Sequence, residues 1–402
     1  MSAPPACDKE QPLALAPWIL LICIVLAVLL ARGPWTGAPA VGGEAASSVR
    51  LDQVLSENTA GFFVVETPRQ FRFPADHGPH PDYRSEWWYF TGNVATRSGR
   101  VFGFQLTFFR FALAPGAPQL PATRWATRQA YMAHLAISDV ENRRFYAFER
   151  FDRNALGLAG AQPRPFRVWL GDWQVRGADS ATFPLVLSAR HGGQAIELVA
   201  EAGKGVVLQG DRGFSQKSQR PGNASYYYSY TRLPVHGTIR VDGENHTVSG
   251  LGWMDREWGT TALDAGQSGW DWFALQLDDG RDLMFYRLRR YGGATDPMSA
   301  GVVVAGDGTP QKLGPEDVVV RPTGTWRSPG GGAYPAGWSL RVRKHALELQ
   351  VTPAFDDQEH RGALRYWEGA VAVAGTSEGR AVRGRGYVEL TGYGDSAPVP
   401  AR

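Results

Sequence analysis

Cysteine is nearly absent from this chain: there are 2, Cys7 and Cys23, both close to the amino terminus. The rest of the chain has no thiol to pair or to coordinate a metal, which excludes a disulfide-stapled scaffold. An excess of charge is missing too. The 42 Lys and Arg residues against 39 Asp and Glu leave a net charge of +3, and no basic run forms a stripe, which excludes a dedicated nucleic-acid surface. Helical periodicity is scarce, and the G-x-S-x-G elbow, the P-loop, the dinucleotide fingerprint and the H-E-x-x-H motif are all lacking. Disorder is excluded by the 43% of hydrophobic residues, enough apolar mass to offset the entropy of ordering. What is abundant is glycine (48), proline (27) and aromatic residues (14 Trp, 14 Tyr, 19 Phe), a composition that fits many short strands and sharp turns. At about 100–200 residues per domain, the length of 402 suggests two or three domains with ample core.

Residues 13–31 read LALAPWILLICIVLAVLLA, 19 uncharged apolar residues. At about 1.5 Å per residue, such a helix spans one hydrocarbon core of about 30 Å. Lys9 is the positive charge ahead of it and is offset by Asp8 and Glu10. The small-residue pattern Ala38-Pro39-Ala40 carries a proline that fits a cleavage site poorly. Residues 1–33 are therefore read as a signal anchor, with a cleaved signal peptide as the alternative. Either reading exports the body, to the periplasmic side of the inner membrane when anchored, or to the periplasm or medium after cleavage. Residues 34–63 are a linker, rich in Gly, Ala, Pro and Ser over 34–48.

From Glu66 onward the pattern has period 2, punctuated by Gly, Asp-Gly and Pro. Phe102, Phe104, Leu106 and Phe108 fall on one face of a strand, with Gly103, Gln105 and Thr107 on the other. Trp270, Trp272, Ala274 and Gln276 likewise oppose Phe273, Leu275 and Leu277, and Asp279-Gly280 then predicts a hairpin turn. Alternation recurs over 131–138, 183–189, 195–199, 340–351 and 387–391. The run Glu86-Trp87-Trp88-Tyr89-Phe90 before Gly99-Arg100 is echoed by Trp270-Asp271-Trp272-Phe273 before Gly280-Arg281. These features predict two β domains, 64–232 and 233–396, with the seam within 221–234, each large enough for an eight- to ten-stranded barrel.

Four clusters carry candidate chemistry. The first, residues 73–89, holds His77, His80, Asp82 and Glu86, but its prolines and the lack of a second histidine group speak against a metal site, and no metal or other cofactor is expected. Glu86, Trp88 and Phe90 share one strand face and Trp87 and Tyr89 the other, a carboxylate among rings that points to a pocket or an interdomain seam. The second is Tyr226-Tyr227-Tyr228-Ser229-Tyr230, where pleating puts Tyr226, Tyr228 and Tyr230 on one side; an edge strand whose phenols reach water is the alternative. The third is Gly250-Leu251-Gly252-Trp253-Met254-Asp255-Arg256-Glu257-Trp258-Gly259. Trp253, Asp255 and Glu257 share a face, and two carboxylates about 7 Å apart beside indoles favour one raised pKa. A structural ion pair with Arg256 is the competing reading. The fourth contains Glu368 and Glu389, buried carboxylates best explained by barrel closure.

Together these stretches resemble one family. FPADHGPHPDYRSEWWYFTGNV, YYYSYTRLPVHGTI, GWMDREWG, WDWFALQLDDGRDLMFYRLR, YWEGAVAVAG and GRGYVELTGY are similar, in matching order over about residues 64–395, to the AttH/CrtC-like proteins. These are known as lipocalin-like, carotenoid 1,2-hydratase-like or secreted hydrolase proteins. The resemblance implies an all-β fold of two consecutive lipocalin-like (calycin-type) antiparallel β-barrels with a cavity near their junction. It also implies an apolar, isoprenoid- or polyene-like ligand, and association with a membrane ABC transport system. In the carotenoid hydratases a Tyr-x-Asp segment supplies the proton donor and a His-x-Trp segment assists it. Asp255 matches the aspartate, Trp253 stands in the Tyr position, and Tyr228 and Tyr230 stand in the His-x-Trp positions; the lost His and Tyr put carotenoid hydration itself in doubt.

Asp255, Glu257, Tyr228 and Tyr230 are thus the expected catalytic residues. Glu86, Trp87, Trp88, Tyr89, Gln105, His134, Tyr226, Trp253, Trp258, Trp272 and Tyr286 are the expected lining. Two functions stay open: a hydratase- or hydrolase-like enzyme using Asp255 as general acid, and a non-catalytic carrier of a lipid-like ligand serving a transporter. The anchor reading predicts membrane association that resists carbonate extraction; a soluble product starting near Val41 would overturn it.

Overall fold

The computed structural model describes residues 59–394 apart from 117–125, Ser180 and Ala262. The expected signal anchor, residues 1–33, and the linker up to residue 58 lie outside the described residues. Alternating Val, Ile, Phe, Trp and Tyr give strands almost everywhere else. Among the described residues helix is confined to two 3-10 turns, Ala75–His77 and Arg343–His345, and among them no helix is long and apolar enough to cross a membrane.

The fold is all-β. The described strands form a 13-stranded sheet, a 10-stranded sheet and one two-stranded piece, and every pairing is antiparallel. The strands that matter for the site are β1 (Ser85–Ala95), β2 (Val101–Ala112), β3 (Gln129–Asp139), β4 (Arg144–Arg153), β5 (Ala224–Val241) and β6 (Glu244–Gly259) in the first sheet. In the second they are β7 (Gln267–Leu277), β8 (Asp282–Arg290), β9 (Glu359–Arg361), β10 (Arg365–Ser377) and β11 (Arg380–Leu390). The order β4-β3-β2-β1-β6-β5 continues through shorter strands to Phe166–Leu170, which curls back against β2, β3 and β4 and nearly closes a barrel. In the second sheet β8-β7-β11-β10 run side by side, and β9 pairs with β10.

The chain changes sheets at residues 260–266. The expected boundary at 232/233 instead falls inside β5, because β5 and β6 form one long hairpin whose turn carries Asp242 and Gly243 at positive φ (51° and 87°). The run 340–351, expected as continuous alternation, is a hairpin of Trp338–Val342 and Leu347–Pro353 separated by the Arg343–His345 turn. Its alternation changes phase there: Leu340 and Val342 point inward, then Leu347, Leu349 and Val351.

Each sheet wraps a core. Phe102, Phe104, Leu106 and Phe108 fill the first with Leu135, Ile137, Trp173 and Leu198; Phe273, Leu275 and Leu277 fill the second with Trp338, Leu349 and Val388. A third apolar cluster draws on the outward faces of both sheets, among them Tyr89, Tyr227, Trp253, Trp272, Tyr286 and Tyr387. Close approach at this junction depends on Gly103, where an added Cβ would stand 2.5 Å from Tyr387 Oη and 2.8 Å from Ala370 Cβ. Asn93 Nδ2 donates across it to Gly386 O at 3.0 Å.

One irregularity sets the register. Between Tyr230 and Leu233 the pairing of β5 with β6 slips by a residue, a β-bulge. Fully buried Asp282, at the start of β8, holds the bulge: it accepts from Thr231 Oγ1 (2.8 Å), Arg232 Nε (2.8 Å) and Lys204 Nζ (2.8 Å). Gln276 Nε2 adds a bond to Thr231 O at 2.7 Å. Removing the carboxylate leaves cations without their buried partner, so Asp282→Ala is expected to lose about 3–5 kcal/mol, read as a lower urea midpoint in equilibrium unfolding.

Candidate active site between the two sheets

Side chains of β1, β5 and β6 that share a row also share a face, and the register assigns the faces. Glu257 pairs with Trp87 and Tyr227, and Asp255 with Tyr89 and Ser229. This face looks toward the second sheet and borders a cavity of about 100 Å³. Trp87, Tyr89, Phe109, Ser225, Tyr227, Asp255 and Glu257 line it from one side. Trp270, Trp272, Tyr286, Tyr366 and Glu389 line it from the other, and Lys217 reaches in from the loop before β5.

Asp255 is 4% exposed. Ser229 Oγ (2.6 Å) and Trp253 Nε1 (2.7 Å) both donate to its Oδ1, and Tyr227 Oη donates to Oδ2 at 2.5 Å. Trp272 Nε1 in turn donates to Tyr227 Oη at 3.2 Å. Burial pushes the Asp255 carboxyl up to about 7, against the three hydrogen bonds and with the help of the Glu257 charge. With two donors already on Oδ1, the proton belongs on Oδ2. Glu257 is treated differently. It forms an ion pair with Lys217 Nζ at 3.0 Å and accepts from Ser225 Oγ, while Lys217 also lies 4.3 Å over the Tyr286 ring and bonds Ser215 Oγ at 3.0 Å.

The opposite wall holds a second, half-buried acid. Trp270 Nε1 donates to Glu389 Oε1 at 2.5 Å, and burial raises the Glu389 carboxyl to about 7. Behind it, Glu368 is fully buried and accepts from Tyr89 Oη at 2.6 Å.

Of the expected catalytic residues, Asp255 and Glu257 lie in the cavity. Tyr228 and Tyr230 face the other way: Tyr228 Oη lies 2.5 Å from His77 Nδ1, and Tyr230 packs on Phe183 and His77. Of the expected lining, Trp87, Tyr89, Trp272 and Tyr286 are in the wall, and Trp253 braces Asp255. Gln105 and His134 reach it through Tyr366, to whose hydroxyl they bond at 3.0 and 2.6 Å. Glu86, Trp88, Tyr226 and Trp258 lie on the opposite face. There Glu86 is fully buried, accepting from Arg110 Nε, Arg256 Nη2 and the His80 amide. Burial favours its neutral form, but the two guanidinium groups overcome that and hold the carboxyl well below its usual range. The Arg256 guanidinium lies 3.9 Å over Trp88, His80 stacks on Trp258, and Tyr226 donates to Thr67 O at 3.0 Å. Among the described residues no group of three His, Cys, Asp or Glu converges as a metal site. Tyr227, Ser229, Ser225, Lys217, Trp270 and Tyr366 were not expected in the site; only the pairing register, not the local sequence, points to the first three.

The AttH-like family model matches residues 64–393. The chain belongs to the AttH-like family. The crystal structure of an AttH-type protein from Nitrosomonas europaea superposes with a TM-score of 0.73 at 34% identity, covering 83% of this chain and all of that one. Kievitone hydratase of Fusarium solani subsp. phaseoli is 24% identical over 223 residues, 53% of this chain and 57% of that protein's length, so the match spans little more than half of that relative. The kievitone hydratase structure from Nectria haematococca shares the fold, with a TM-score of 0.63 at 16% identity, 83% of this chain and 96% of that chain being covered. The AttH-like assignment agrees with the all-β architecture and with the motif order that suggested it.

The raised carboxyl of Asp255 has a thermodynamic signature in this AttH-like chain. Its contribution is fully present while the unfolded chain is also protonated, below about pH 4, and is lost as pH climbs to about 7. Asp255→Asn is therefore expected to raise the denaturant midpoint relative to wild type at about pH 8 more than at about pH 4; equal shifts at both would mean an ordinary ionised aspartate.

Proposed function

We propose that the cavity takes an apolar, alkene-bearing molecule and that Asp255 is the general acid of a hydratase-type reaction on it. The observation that carries this reading is a nearly fully buried carboxyl, held by three neutral donors in a ring-lined, mostly apolar cavity, whose burial pushes it up to about 7. Protonating a trisubstituted alkene creates a tertiary cation, so the acid must be neutral before the reaction and must sit where water does not compete. The Oδ2 proton of Asp255 meets the first demand and the burial of its carboxyl meets the second. The faces of Trp87 and Trp272 offer the developing cation about 2 kcal/mol or more per well-placed contact. Tyr227, hydrogen-bonded to both Asp255 and Trp272, takes the assisting role that the motif comparison gave to Tyr228 and Tyr230. The similarity to kievitone hydratase supports water addition as the class of chemistry.

The wider reading has further parts. Each sheet serves as one lipocalin-like barrel, so the cavity sits at a tandem-barrel junction. The apolar run 13–31 supports export and attachment to the periplasmic side of the membrane, and the family resemblance supports an ABC transporter as partner. A non-catalytic carrier role is the outcome that the following test separates.

A prenylated phenol serves as the probe, incubated with protein in heavy-oxygen water. Wild type is expected to form the labelled tertiary alcohol at a rate that falls above about pH 7, as Asp255 loses its proton. Asp255→Asn is expected to bind the probe as before and to lose about 100-fold or more in turnover. Binding without any product from wild type would identify a carrier instead.

A further inference from the structure

Water addition needs a base as well as an acid. If Asp255 supplies the proton and water attacks from the opposite face, beyond the reach of its carboxylate, a second group must take the proton of the attacking water, and the general-acid reading leaves that group unassigned. Glu257 is committed to Lys217 at 3.0 Å and to Ser225, and Glu86 lies on the opposite strand face, locked between Arg110 and Arg256. Among the described residues, the remaining carboxyl on the cavity wall is Glu389, carried by the other sheet.

We infer that Glu389, paired with Glu368, is the base that activates water opposite Asp255. The inference rests on the general-acid reading for its partner but on separate residues for its geometry. Glu368 and Glu389 are directly opposed on neighbouring strands β10 and β11, which places their side chains on the same face with Cβ atoms about 5 Å apart. The hydrogen bonds that hold the two come from a phenol and an indole, both neutral. Tyr89 Oη holds Glu368 Oε1 at 2.6 Å, and Trp270 Nε1 holds Glu389 Oε1 at 2.5 Å. Glu368 Oε2 is fully buried and has no partner at hydrogen-bond geometry, with the Glu389 carboxyl as its neighbour. Two directly opposed carboxyls held by neutral donors, one fully and one half buried, keep one proton between them. The deeper Glu368 retains it, and burial together with the neighbouring Glu389 charge pushes its carboxyl well above the usual range. That leaves Glu389, nearer the cavity, as the group that ionises. The charges facing Glu389 from the first sheet are those of Asp255 and Glu257, which raise it; Lys217 is spent on Glu257. Tyr366, on β10, borders the same space.

The step balances without any reactant other than water. The Asp255 Oδ2–H bond breaks as the alkene π pair forms the new C–H bond. A water lone pair then forms the C–O bond at the cation while that water's O–H bond breaks and its proton passes to Glu389. Asp255 ends as carboxylate and Glu389 as carboxylic acid, and return of one proton between them restores the start. An acid on one sheet and a base on the other therefore process the two ends of one double bond.

The test uses the full chain and two readouts. The first is carboxyl titration followed by isotope-edited infrared spectroscopy on the unliganded protein. Glu389→Gln is expected to remove one carboxyl titrating near neutral pH while that of Asp255 persists, whereas a spectrum unchanged by the substitution overturns the inference. The second incubates the prenylated phenol in deuterated, heavy-oxygen water. Glu389→Gln is expected to lose about 100-fold or more in alcohol formation yet still to place deuterium in an isomerised alkene, because Asp255 protonates the double bond and its carboxylate then takes a proton back from the cation. Retained deuterium also shows that the variant is folded. Alcohol formation at the wild-type rate in Glu389→Gln overturns the base assignment and leaves the general acid standing. Undiminished alcohol formation in Asp255→Asn overturns the general acid, and the infrared titration then decides the Glu389 pair alone.

Discussion

Asp255 and Glu257 stand beside Tyr227 and Ser229, rather than the even-numbered tyrosines, because of one extra residue in the long β5–β6 hairpin. Counting back from the turn at Asp242-Gly243, an unbroken ladder would set Tyr230 opposite Asp255 and Tyr228 opposite Glu257. The bulge after Tyr230 takes out one residue and exchanges the two faces of the tyrosine run. It also joins the two sheets: the groups that stabilise it, Asp282 and Gln276, belong to the second sheet. The contents of the cavity and the docking of the sheets thus depend on the same few hydrogen bonds.

Carboxyl groups equally removed from water are handled in opposite ways on the two faces of one strand pair. Glu86 has two guanidinium groups and a backbone amide, so it is ionised and locks the segment before β1 onto the first sheet. Asp255 has only neutral donors, a phenol, a hydroxyl and an indole, and so stays protonated close to neutral pH. A fully paired ion is a poor proton donor and a good clamp. A carboxyl with neutral partners costs stability but retains a proton to give, which is why it belongs in a cavity rather than in a core.

The sequence makes the strands legible because period-2 alternation survives where one face is core: Phe102 to Phe108 and Phe273 to Leu277 point inward as the pattern requires. The acidic pair of Asp255 and Glu257 is legible for the same reason, as are Trp87 and Trp272. Tyr227 and Ser229 are not. A run of tyrosines offers no polar-apolar contrast to show which parity faces the site, and nothing local marks a bulge fixed by Asp282 from some 50 residues away. Glu86 illustrates the complementary difficulty: its ion partners Arg110 and Arg256 lie 24 and 170 residues off, so a lone carboxylate among rings reads as a pocket. The change of sheet at 260–266 is hidden because strand pairing across the hairpin continues well past the proline-marked point where composition suggests a break.

Three indoles end their N–H bonds on the chemistry of the chamber: Trp253 on Asp255, Trp270 on Glu389 and Trp272 on Tyr227. Each ring therefore feels the gain or loss of a proton next to it as a change in local field. Fluorescence from these positions is expected to respond to the charge state of the acids, an optical gauge of the site that needs no attached dye.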